Sequence, residues 1–135
     1  MAEVERTIVE LGSTGLKVVV TELDVDVLPS RGPAGVADLG RRERAEAALD
    51  PWKGGLPDEV QQRLARRYAD LFGVYLRQRR VIGRVTLWGL DDGHSWLNGF
   101  PIRGRTNHPL LFDRDLKPKP AVHRIIAAGV EPARS

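Results

Sequence analysis

Apolar residues over the first dozen positions fall at helical spacing. Val4, Ile8 and Leu11 share a stripe and Gly12 and Gly15 follow, which predicts a helix over residues 2–12 and a short loop. The pattern then becomes that of extended chain over residues 17–25, with Val18, Val20, Glu22 and Asp24 on one face under strict alternation. Pro29-Ser-Arg-Gly-Pro33 reads as loop, and residues 36–49 as a short polar helix weakened by Gly40. Pro51 and Pro57 bracket a turn. Pro57-Asp58-Glu59 opens the strongest helix, which runs to about Arg80, with Val60, Leu64, Tyr68, Leu71, Phe72, Tyr75 and Leu76 as its buried stripe. Residues 82–88 form a second strand. A last helix runs from Lys119 to Ala128 with Pro120 in its first turn, and residues 129–135 are a tail.

This order, helix, strand, long loop, helix, strand, long loop, helix, predicts an α/β fold with a parallel crossover. Both long loops, one of them residues 31–56, leave the C-terminal ends of strands, where folds of this class place their sites. Two strands cannot close a barrel, and a whole (β/α)₈ barrel takes about 250 residues, so as a barrel the chain is a part of one.

Composition narrows the classes. The 135 residues are 41% hydrophobic and 29% charged, enough for one domain with a modest core. The net charge of +3 is spread, with basic residues interleaved among acids as in Arg41-Arg-Glu-Arg44, so no basic stripe suited to nucleic acid forms. No apolar run approaches the roughly 18 residues of a membrane span, and the acidic start Met1-Ala-Glu-Val-Glu carries no export signal. There is no cysteine, which excludes thiol catalysis and cysteine-ligated zinc. His94, His108 and His123 lack metal-ligand spacing, and no phosphate-binding glycine loop or Gly-x-Ser-x-Gly elbow occurs.

The candidate chemistry gathers at the two strand ends. Glu22 and Asp24 leave the first; Trp88 leaves the second, with Trp96 in the loop beyond it. Taken alone, Glu22 reads equally as a surface acid, and the two tryptophans as core. Trp52, beside Pro51 and Lys53-Gly-Gly, reads as packing under the long loop. Asn98, Arg103 and Asn107 have hydrogen-bonding groups for sugar hydroxyls and equally suit loop-structural roles. Cleavage of a glycosidic bond with retention needs a carboxylate on one face of the sugar and a second carboxyl group about 5–5.5 Å away on the other. Asp24 stands about 6.5–7 Å along the strand from Glu22 and cannot fill that second role. Asp91 and Asp92 project from an adjacent loop rather than from across a barrel.

Three blocks carry a resemblance: VTELDVDVLPS (20–30), LPDEVQQRLARRYADLF (56–72) and VTLWGLDDGHSWLNGFPIRGRTNHPLLFDRDLKPKPA (85–121). In this order and spacing, over residues 1–128, the chain resembles the C-terminal part of glycoside hydrolase family 10, the retaining endo-1,4-β-xylanases. The resemblance implies a partial TIM (β/α)₈ barrel covering roughly the sixth to the eighth helix, acting on xylan or xylo-oligosaccharides without a cofactor. It implies Glu22 as nucleophile, Asp24 as the carboxylate that orients a histidine bonded to that nucleophile, and Trp88 and Trp96 as sugar platforms. The family's general acid/base glutamate sits in an Asn-Glu dipeptide, and no such dipeptide occurs in this sequence. His94 stands where family members often have a small or acidic residue. Family members are typically secreted. The expected alternatives to a working xylanase are a remnant that binds xylan weakly, and a half-barrel that self-associates or pairs with an N-terminal half.

Overall fold

The computed structural model describes residues 1–29 and 47–130. Its elements are α1 (Ala2–Gly12), β1 (Val18–Leu23), α2 (Asp58–Arg77), β2 (Ile82–Leu87) and α3 (Pro120–Val130), with 3-10 turns at Ala47–Leu49, Asp92–His94 and Trp96–Asn98. The helix expected over 36–49 lies outside the described residues, save that its last three positions form a 3-10 turn. α3 runs on to Val130, two residues into the expected tail.

The three described α-helices form where their patterns predict, although α2 ends at Arg77 rather than near Arg80. Asp58 and Glu59 lie in the first turn of α2 and Arg77 in its last, both favourable to the helix dipole. Val60, Leu64, Ala65, Tyr68, Val74 and Tyr75 of α2 are all buried, and all but Val60 join a core with Leu23 of β1. Leu71, Phe72 and Leu76 are only half-buried, so the stripe is narrower than expected near its middle. Ala121 and Ile125 of α3 join the same core. The contact of α1 is more polar: Ile8 is buried, and Arg77 donates to both oxygens of Glu5 at 3.0 and 2.7 Å.

β1 and β2 pair in parallel, with α2 as the crossover between them. Among the described residues each strand has a single partner, so both have an open edge. Val20, Leu23, Ile82, Val85 and Leu87 face the helices. The other face of the pair is uncovered: Val19 is 49% exposed, and Thr21, Glu22, Gly83, Arg84 and Thr86 are exposed.

Candidate active site

The single-face reading of Val18, Val20, Glu22 and Asp24 is corrected by the pairing. Val20 lies opposite Val85, and the next matched pair is Leu23 with Leu87, so three steps on β1 match two on β2. One extra residue in β1 makes a bulge, which reverses the alternation beyond it. Val20 packs on the core, and beyond the bulge Leu23, Val25 and Val27 do so. Glu22, Asp24 and Asp26 alternate with these and fall on the opposite face. Without the extra residue, Glu22 and Asp24 would point into the helices. The signal was present in Glu-Leu-Asp-Val-Asp-Val (22–27), where acid and apolar residues alternate out of phase with Val18 and Val20.

Trp88 reaches the same face by a shorter argument. Its backbone N–H donates to Leu23 O at 3.0 Å, which continues the ladder past Leu87. Because Leu87 faces the helices, Trp88 faces away from them. Gly89 then turns the chain at φ +147°, and a Cβ there would stand 2.8 Å from Leu110 Cδ1, so the tight turn after the indole requires glycine.

Trp96 arrives from the loop beyond. Its indole Nε1–H donates to Asp24 Oδ2 at 2.7 Å, and its ring stacks on Phe100 with centroids 5.1 Å apart. Both indoles remain 45% exposed, so neither is core. Asp24 is held above the ordinary carboxylate range. Burial is the main cause, the charges of Asp26 and Glu22 add to it, and the Trp96 hydrogen bond opposes it. Glu22 itself is exposed.

The loop from Leu90 to Lys119 is organised by buried polar groups. Asp92 is fully buried: its Oδ1 accepts from Leu110 N at 2.9 Å and its Oδ2 from Lys119 Nζ at 2.9 Å. Lys119, itself 3% exposed, also donates to His108 O at 2.8 Å. Burial pulls the ammonium below its usual range, and the Asp92 charge pulls the other way. Asp91 instead caps the following turn, accepting from Gly93 N at 2.8 Å and pairing with His94 Nδ1 at 2.8 Å; this hydrogen bond lowers its pKa. Both aspartates are thus engaged in holding the loop. His94, the unexpected residue, thus has an immediate partner.

The polar residues considered for sugar contact divide. Asn98 donates to Asp92 O at 2.8 Å and accepts from Asn107 N at 2.8 Å, and fully buried Asn107 donates to Asp26 Oδ1 at 2.7 Å; both are structural. Arg103 is exposed. Trp52 is half-buried, and its carbonyl accepts from His108 Nε2 at 3.2 Å. Sequence reasoning missed Lys119, Arg105 and the hydroxyl of Tyr68, which donates to Pro109 O at 2.6 Å. Arg105, buried, donates to Pro29 O at 3.2 Å. A cleft of about 500 Å³ lies on the helix side, between α2 and Val25–Val27, lined by Arg63, Arg66 and Arg67. It is not where the carboxylates and indoles meet. No three histidine or acidic residues among those described are grouped to hold a metal ion.

Comparison with known proteins places the chain in a family. Residues 1–128 match the sequence model of Glycosyl hydrolase family 10. The chain is 40% identical over 126 residues to endo-1,4-beta-xylanase A of Xylanibacter ruminicola, covering 93% of this chain and 34% of that protein. It is 35% identical over 124 residues to endo-1,4-beta-xylanase of Geobacillus stearothermophilus, covering 92% and 33%. Among solved structures it superposes with a TM-score of 0.83 and 46% identity on a family 10 endoxylanase from a sugarcane soil metagenome, covering 93% of this chain and 34% of that one. A mutant structure in complex with xylotriose matches at TM-score 0.71 and 38% identity, covering 91% and 33%. The chain therefore spans about a third of the length of the relatives it matches.

Proposed function

The chain belongs to glycosyl hydrolase family 10, and from that premise we propose that it carries the nucleophile side of a retaining endo-1,4-β-xylanase site. Its fold is a partial TIM barrel, here assigned to the sixth helix, seventh strand and helix, and eighth strand and helix. In this reading Glu22 attacks the anomeric carbon of a xylosyl unit and becomes the glycosyl ester. A carboxylate on that face also stabilises the positive charge that develops as the bond to the leaving group breaks. Trp88 and Trp96 offer apolar ring faces to the C–H faces of the pyranoses.

The observation that carries the reading is the bulge between Val20 and Leu23. It turns Glu22 and Asp24 onto the face that Trp88 occupies, and Trp96 is tied to that face through Asp24. In the family resemblance Asp24 orients a histidine; in this chain its near partner is an indole, so its orienting role includes the sugar platform.

The opposing acid is not supplied by Asp91 or Asp92, which are engaged elsewhere, and the sequence has no Asn-Glu dipeptide. That favours a second reading in which this chain alone binds xylan without cleaving it, and turnover needs pairing with an N-terminal half-barrel along the open strand edges.

The test uses a substrate that needs no acid. From a dinitrophenyl 2-deoxy-2-fluoro-xylobioside the dinitrophenolate leaves without protonation, and the fluoro-sugar stays on the nucleophile as an ester. Mass spectrometry of the peptide bearing Glu22 is expected to show the adduct, and Glu22→Gln to abolish it. An adduct on another carboxylate would overturn the assignment. With xylan, the chain alone is expected to release little reducing sugar. Release that matches a complete family member and is lost in Glu22→Ala would mean that an acid is present in this chain.

A further inference from the structure

The segment Trp88–Trp96 begins and ends with the proposed sugar platforms, and Asp92 stands at its midpoint. Every polar atom of Asp92 is engaged. Its N–H donates to Phe112 O at 3.0 Å, its carbonyl accepts from Asn98, its Oδ1 takes the Leu110 N–H, and its Oδ2 takes Lys119 Nζ. Lys119 is the residue just before α3, and its ammonium bridges Asp92 to the carbonyl of His108. His108 Nδ1 lies 3.7 Å from Asp92 Oδ2 on the other side. The bridge therefore ties the platform segment to the start of a helix that packs along α2.

A buried ion pair is a poor device for stability alone. Desolvation of both charges cancels much of their attraction, and apolar replacements of similar volume are often as stable. What such a pair supplies is geometry: an ammonium shared between two fixed acceptors admits a single placement of the loop. We propose that Asp92 and Lys119 are positioning residues for the sugar platform, and that their pairing fixes the Trp96 indole against Asp24. The proposal rests on the reading of Trp88 and Trp96 as sugar platforms.

The two roles separate in the double variant Asp92→Asn/Lys119→Met. It removes both charges together, keeps an oxygen to accept the Leu110 N–H, and keeps the lysine's apolar stem. Its folding, followed by far-UV circular dichroism and thermal unfolding, is expected to stay near that of the unsubstituted chain. Lys119→Met alone leaves a buried carboxylate without its partner and is expected to lower the melting temperature.

Two readouts then report on position. In ¹H–¹⁵N spectra, with Trp96→Phe used for assignment, the indole N–H resonance of Trp96 is expected to leave its hydrogen-bonded position in the double variant. Titration with xylohexaose, followed by tryptophan fluorescence, is expected to show affinity reduced roughly tenfold. A folded double variant with an unmoved Trp96 resonance and unchanged affinity would overturn the proposal. Should the unsubstituted chain leave its tryptophan fluorescence unaltered by xylohexaose, the platform reading fails and the proposal falls with it. A moved resonance with unchanged affinity would also overturn it, because the pair would then set geometry that the sugar does not use.

Discussion

The first strand ends in three alternating acids, Glu22, Asp24 and Asp26, and the second loop supplies side-chain partners to the latter two, Trp96 to Asp24 and Asn107 and Arg105 to Asp26. Beyond Leu87 the second strand enters a loop whose turns are capped by Asp91 and Ser95 and whose centre is the buried Asp92–Lys119 pair. The loop that carries Trp96 is thus held at several points, while the face on which Glu22 stands is set by one extra residue in a strand. On the proposed reading the sugar platform is built within this chain. The Glu22 carboxylate would then be oriented from across the barrel, as suits a nucleophile whose partner carboxyl belongs to another wall.

The contrast breaks most visibly at Asp92. Asp92→Ala leaves the Lys119 ammonium buried and the Leu110 N–H without an acceptor, and is expected to cost about 3–5 kcal/mol in urea unfolding. Glu22→Ala, at an exposed position, is expected to change stability by less than about 0.5 kcal/mol. Equal effects would remove the distinction between the two segments.

Tyr68 tests how the scaffold is tied to α2. It is fully buried, and its hydroxyl donates to Pro109 O at 2.6 Å. Burial, together with the charges of Asp24 and Asp92, holds its pKa well above the ordinary phenol value. Tyr68→Phe leaves that carbonyl only the longer Val25 N–H, at 3.4 Å, and is expected to cost about 0.5–1.5 kcal/mol, read from the denaturation midpoint at unchanged slope.

The smallest effect sharpens the comparison through pH. Asp24 is raised above its ordinary value of 3.8, so its ionised form is disfavoured in the folded chain. Its contribution to stability is complete below the ordinary aspartate value and is lost as the pH rises through the higher folded value. Asp24→Asn mimics the protonated form and still offers Trp96 an oxygen. The variant is expected to melt at a higher temperature than the unsubstituted chain at neutral pH, the gap closing below the ordinary aspartate value. A gap that persists or widens in acid would mean that the carboxylate is stabilised where it stands.

Much of this was legible beforehand because it rests on local pattern. The stripe from Val60 to Tyr75, the two strands and the helix after Lys119 are set by spacing, and the T-E-L-D and W-G blocks carried the resemblance to the family. The bulge was harder to see: one inserted residue changes no composition, and only the phase of Leu23, Val25 and Val27 against Val18 and Val20 records it. The Asp92–Lys119 pair was not legible at all. Asp91-Asp92-Gly93 reads as an ordinary turn, and the lysine that meets it lies 27 residues away, before a proline that reads only as a helix start. Pairings of that kind are decided by tertiary packing.

The most direct measurement is a crystal structure of this chain with xylotriose bound. A pyranose stacked on Trp88 or Trp96 is expected, with the Glu22 carboxylate on that same sheet face, toward the sugar. Glu22 directed among the helices beside Leu64, or the sugar bound in the arginine-lined cleft of α2 with both indoles bare, would contradict this.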